Sequence, residues 1–105
     1  MNKMYTVDHK LLTEIPEIRV GEKIYPVNNR TKTVKKIHDA TGEVTRDNPY
    51  PGMEKVLALA LGAEAAKEIE EMDMPFPAYQ KMFELVMTAV TGEEPNSEQP
   101  DVKAN

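Results

Sequence analysis

The chain has 105 residues, 40% of them hydrophobic, and a formal net charge of −5. That suits one modest domain and argues against a general nucleic-acid binder, which needs a basic surface. It has no cysteine, which excludes disulfides, a thiolate nucleophile and cysteine-based metal sites.

No apolar run approaches the roughly 18 residues of a membrane span. Lys3 is not followed by the apolar stretch of a secretory signal. A soluble intracellular protein is the expectation.

Residues 1–14 are mixed and weakly patterned and read as a flexible N-terminal arm. Ile15–Val20 and Lys23–Asn28 read as two strands, with Ile18 and Val20 on one face of the first. Ile24 and Pro26 alternate with Lys23, Tyr25 and Val27 in the second. Gly21-Glu22 makes an acceptable two-residue type II′ turn, because glycine supplies the positive φ at its first position. Pro26 has no ladder donor and marks an edge. An isolated hairpin is marginal in water, so this one must pack on the helices that follow.

Asn29 is placed to cap a short helix over 30–40, with Gly42 near its end. Thr31, Thr33, Val34 and Ile37 are β-branched, which keeps a third strand in competition. Residues 43–50 are polar and carry Asn48-Pro49, a loop by its punctuation. Pro51 suits the first turn of a helix running to Leu61. Apolar side chains surround nearly all of that helix, which predicts a central, buried position. Gly62 ends it, and a mostly acidic helix follows over 63–72 with Ala65, Ala66, Ile69 and Met72 as its apolar stripe. Every glycine is assigned to a turn or a helix end.

Pro75 and Pro77 interrupt the chain before the last helix, which predicts that Phe76 between them is held extended as an anchor. In the segment 72–92, Tyr79, Met82, Phe83, Val86, Met87 and Val90 share a face that Ala78, Leu85 and Ala89 widen. The apolar arc covers roughly 200°, about twice the stripe a surface helix needs. Methionines on such a face adapt to varied partners. These side chains either complete a small core or also form a partner groove. Phe76, Tyr79 and Met82 are assigned to the groove, with Phe83 and Met87 also in reach of a partner. Phe83, Val86 and Val90 are the better core candidates. After Gly92, residues 93–105 are nearly devoid of apolar side chains and contain two prolines, the composition of a disordered tail. The expected fold is α+β and mainly α: an N-terminal β-hairpin on a bundle of three to four helices, a single domain over 15–92, and an acidic tail.

Charge is segregated. Residues 19–36 carry Arg19, Lys23, Arg30, Lys32, Lys35 and Lys36 against Glu22 alone, whereas 64–73 carry Glu64, Glu68, Glu70, Glu71 and Asp73 against Lys67 alone. The simplest reading is a pair of solvated faces. A sharper one is head-to-tail self-association, with Arg30, Lys32, Lys35 and Lys36 meeting Glu68 and Glu71 of another copy. A third is binding of phosphate or nucleic acid through 30–36, although no aromatic residues interleave the lysines to form a stacking platform.

Catalytic constellations are close to absent. The single serine, Ser97, lies in the tail, so no serine triad fits the folded part. His9 and His38 are far apart and match no metal-ligand spacing. The carboxylates of 68–73 lack the glycine-turned loop of a calcium site. No enzymatic activity, cofactor or metal is expected.

The order of elements is a basic hairpin, then "VNNRTKTVKKI", then "LALALGAEAAKEIEEMDMPFPAYQKMFELVMTAVTGEEP", then an acidic tail. It resembles the small tail assembly chaperones of long-tailed bacteriophages and prophages of Gram-positive hosts, over residues 15–95. The shared features are a general pattern and include no ligand or catalytic motif. The resemblance implies a non-enzymatic protein of the bacterial host cytoplasm. Such a protein binds the long helical tape measure protein, keeps it soluble and assists polymerisation of the tail tube around it. It also implies absence from the finished virion, and a C-terminal region often extended by translational frameshifting. A small adaptor or regulatory protein, binding nucleic acid through 30–36, is the alternative.

Overall fold

The computed structural model describes residues 2–93. The tail expected over 93–105 lies, apart from Glu93, outside the described residues. Two strands and five helices follow one another in the order α1 (His9–Thr13), β1 (Glu17–Val20), β2 (Lys23–Pro26), α2 (Thr31–Thr41), α3 (Tyr50–Leu61), α4 (Ala63–Met72) and α5 (Phe76–Thr91). The architecture is the expected mainly helical α+β fold, with a two-stranded antiparallel hairpin ahead of a helical bundle.

The hairpin pairs Ile18 with Tyr25 and Val20 with Lys23. Gly21 has φ 65° and Glu22 has no positive φ, the combination of a type II′ turn. Directly paired residues point to the same side of a sheet, so Ile18 and Tyr25 enter the core together, while Ile24 faces outward beside Arg19. Two backbone bonds continue the hairpin. The Val27 N–H donates to the Pro16 carbonyl at 2.8 Å, and the Asn28 N–H donates to the Ala60 carbonyl at 2.8 Å. The second satisfies one of the last carbonyls of α3, which a helix cannot bond internally, and fixes the hairpin to that helix.

Within the expected arm, residues 9–13 form the short helix α1, none of it buried. Residues 31–41 are a helix and not a third strand. Val34, Ile37 and Ala40 recur on its inner side, so packing overrides the β-branched propensity. Its cap is not Asn29. The N-cap is Arg30, without a side-chain cap bond, and its N–H donates to the Asn28 carboxamide oxygen at 3.0 Å in a turn before the helix.

α3 is the centre of the domain. Gly52, Met53, Val56, Leu57 and Ala60 are buried along it, more than on any other element. Gly52 corrects the sequence reading, since it marks neither a turn nor a helix end. A Cβ there would lie 2.5 Å from the Glu43 carbonyl carbon and 2.6 Å from the Val44 nitrogen. The 43–44 backbone crosses the first turn of α3 at a distance only glycine permits. The Lys55–Glu43 ion pair at 2.8 Å clasps the same loop to the same helix.

Gly62 serves at once as the end of α3 and the start of α4, with φ 98° and ψ 152°. That conformation is open to glycine and strained for any other residue, so the two helices can be joined through one residue. α4 then doubles back along α3 and buries Ile69. It ends at Asp73 in the left-handed region, φ 48°, which a short polar residue tolerates. Phe76 is not held extended. It is the first residue of α5, with Pro75 before the helix and Pro77 inside its first turn. A proline there forfeits no helical hydrogen bond.

Candidate functional site

α5 divides into strips. Met82, Val86 and Val90, spaced four apart, are buried. Tyr79, Phe83 and Met87 are half-buried against that core. Phe76 and Leu85 are exposed. Met82 is therefore core, not groove, because the helix turns it toward the bundle with Val86. Val86 and Val90 complete the core as expected. Of the residues assigned to a partner, Phe76 is exposed and Tyr79, Phe83 and Met87 are half-buried.

Phe76 sits between two other aromatic rings. Its ring centroid is 6.1 Å from that of Tyr50, edge to face, and 6.5 Å from that of Tyr79, stacked. Such pairs hold one another in place, so this is an ordered aromatic surface, with Tyr50 and Phe76 each about half exposed (48% and 46%). Tyr50 escaped the sequence reading because Pro49 and Pro51 mark its surroundings as a loop. It begins α3, and the junction of α4 and α5 carries Phe76 to it.

A groove of about 370 Å³ lies between α3 and α4. Its floor is Leu57, Ala58, Ala63 and Ala66, and Glu54, Lys67 and Glu70 stand around it. Tyr50, Glu54, Leu57 and Ala58 follow one stripe of α3, while Ala63, Ala66, Lys67 and Glu70 follow one stripe of α4. The small alanines leave the space between the stripes. Burial raises the Tyr79 phenol above the ordinary value of 10.0, and the charges of Glu70 and Glu54 raise it further. The groove has an apolar floor and a mixed rim of Glu54, Glu70 and Lys67.

Within the chain the basic and acidic segments meet through Lys23 and Glu68. Lys32, Lys35 and Lys36 are exposed along α2, and Arg30 donates to the Leu12 carbonyl at 2.9 Å. Glu71 is exposed. Glu68 is engaged internally: Lys23 pairs with it at 2.8 Å and the Tyr25 hydroxyl donates to the same carboxylate oxygen at 3.0 Å. The hydrogen bond from Lys23, then that from Tyr25, holds the Glu68 carboxyl below its ordinary value of 4.5. A carboxyl depressed in the folded state stabilises the fold above its unfolded pKa, and that contribution disappears as pH falls through the folded one. The difference in melting temperature between wild type and Glu68→Gln should thus be present at neutral pH and close as pH drops below 4.5. It should be small throughout, because the ion pair is about half exposed. A difference that grows on acidification would contradict the pairing.

His9 and His38 are exposed. Among the described residues no group of three or more His, Asp or Glu side chains is placed to hold a metal ion. No helix among them is long and apolar enough to cross a membrane. No protein-family model matches the chain, and neither the curated proteins nor the solved structures contain a match to it.

Proposed function

We propose that this chain is a non-enzymatic assembly chaperone that receives an apolar helix of a tape-measure-like protein during phage tail assembly. The single observation that carries the reading is the half-exposed aromatic cluster Tyr50–Phe76–Tyr79, whose Tyr50 shares one stripe of α3 with the α3–α4 groove. Helix-in-groove recognition uses aromatic and aliphatic anchors on a preformed trough, and aromatic side chains dominate the energetics of such surfaces. The rim of Glu54, Glu70 and Lys67 offers charged partners to polar side chains that flank the client's apolar stripe. The resemblance to tail assembly chaperones supplies the client class, and the host cytoplasm is the compartment it implies.

Tyr50→Ala with Phe76→Ala tests the site, since both side chains are about half exposed and their loss leaves the core intact. A truncated anchor at the centre of an interface removes about 2 kcal/mol of binding. Co-expression with the candidate tape measure protein should yield soluble client with the wild type and mostly insoluble client with the double variant. Equal rescue by both proteins would remove the groove from the reading. Failure of the wild type to solubilise the client would remove the chaperone function itself.

A further inference from the structure

α2 carries a basic face that nothing among the described residues covers. Lys32, Lys35 and Lys36 are exposed and fall within about 100° of arc on the helix. Arg30 adjoins them at the N-cap. Asp39 lies inside the same arc, so the lysines outnumber the carboxylates of the face without being alone on it. Among the described residues the ion pairs are Lys23–Glu68 and Lys55–Glu43, and neither involves α2. We propose that the acidic segment 94–101 of the same chain lies along this lysine face.

Two observations select that occupant. The first is charge. From the end of α5 onward the sequence carries Glu93, Glu94, Glu98 and Asp101 against Lys103 alone. Other exposed cations already have carboxylates beside them: Lys23 holds Glu68, Lys55 holds Glu43, and Lys67 stands with Glu54 and Glu70 around the α3–α4 groove. The lysines of α2 are the densest group left without such partners.

The second is reach. Gly92, at the end of α5, and Asn29, two residues before α2, line one depression together. From Thr31 to Lys36 the helix rises by only about 7.5 Å, and a helix is about 10–12 Å across. Residues 93–101 span up to about 30 Å when extended. The segment can therefore meet Lys32, Lys35 and Lys36 whichever way it passes around α2. Glu14 lines the depression at the start of that path and repels the segment there, which leaves Glu94, Glu98 and Asp101 as the contacting groups. Each exposed pair is weak by itself, but the tether supplies an effective concentration in the millimolar range. The contact would withdraw the lysine face from other anionic partners, nucleic acid included.

A spin label tests this in the full chain, with no client present, and so separately from the chaperone reading. The chain has no cysteine, so Ser97→Cys gives a single attachment point between Glu94 and Asp101. In nuclear magnetic resonance spectra the amides of Lys32, Lys35 and Lys36 should lose intensity beside the nitroxide. They should recover it at about 1 M salt, where the screening length falls to about 3 Å. They should also recover it when Glu94→Gln, Glu98→Gln and Asp101→Asn are introduced together. Lys32→Gln, Lys35→Gln and Lys36→Gln in combination should give the same recovery at positions 32–36. All three lysines are exposed, so this variant should keep the helical circular dichroism of wild type. Equal broadening in wild type and either variant would overturn the proposal, as would broadening that persists in high salt or is absent from α2. Mixing spin-labelled chain with isotope-labelled chain that lacks the spin label should show no broadening. Broadening in that mixture would assign the face to the tail of another copy and overturn the intramolecular contact.

Discussion

Val56→Asp is expected to abolish the cooperative unfolding transition of this protein. Val56 is fully buried in the middle of α3, within a core made of Ile18, Tyr25, Ile37, Ile69 and Val86. Among the described residues no buried side chain is polar or charged, so the core has no group ready to pair with a carboxylate. Moving an unpaired charge into such a site costs several kcal/mol even after relaxation. A domain of this size is stable by only about 5–15 kcal/mol. Far-UV circular dichroism during heating should show a broad, non-cooperative loss of signal, or little helix at the start. Leu85→Asp is the control: the same substitution at a position 38% exposed on α5 should leave a cooperative transition close to that of wild type. If Val56→Asp melts like wild type, α3 is not the centre of the fold.

The second large effect is Gly52→Ala. In an ordinary helix interior this change stabilises by about 0.5–1 kcal/mol, because alanine restricts the unfolded chain and favours the helix. Here the sign should reverse. The added methyl would sit 2.5 Å from Glu43 C, 2.6 Å from Val44 N and 2.7 Å from Glu43 O. All three are backbone atoms, so no side chain can rotate away. The 43–44 segment must lift off α3, straining the Lys55–Glu43 pair, and overpacking of this kind typically costs about 1–3 kcal/mol. Chemical denaturation should place the midpoint of Gly52→Ala clearly below that of wild type. A midpoint at or above wild type would mean that the loop is not seated on the helix.

The hairpin and the helices were legible in the sequence because their signals are local. Alternation in 17–26 with a glycine turn leaves one antiparallel pairing, and Gly62, Pro51 and Pro75 each bound a helix through backbone geometry alone. The errors share another origin. Asn29 does not cap α2: the N-cap is Arg30, and Asn28 accepts from its N–H in a turn just before the helix, next to the backbone bond from Asn28 to Ala60. Gly52 is required by residues 43–44, which approach it from across a loop. Pro77 was read as a barrier, yet it sits in the first turn of α5, where its missing N–H costs nothing.

The candidate site divides in the same way. That α5 carries more apolar surface than one stripe needs follows from residue type and helical period. Periodicity placed Phe76, Tyr79 and Met82 together but could not rank them. The angle at which α5 lies on the bundle buries Met82 at 3% exposure and leaves Phe76 at 46%. Tyr50 joins Phe76 only because the α4–α5 junction returns the chain to the start of α3. The floor of the groove depends on alanines of α3 and α4 facing each other after the turn at Gly62. Composition, period and turn chemistry thus determine the elements and the kind of surface they carry, since each acts within a few residues. Which side chains meet, which are covered and which stay open is decided by contacts between residues distant in the chain, and those exist only once the helices have packed.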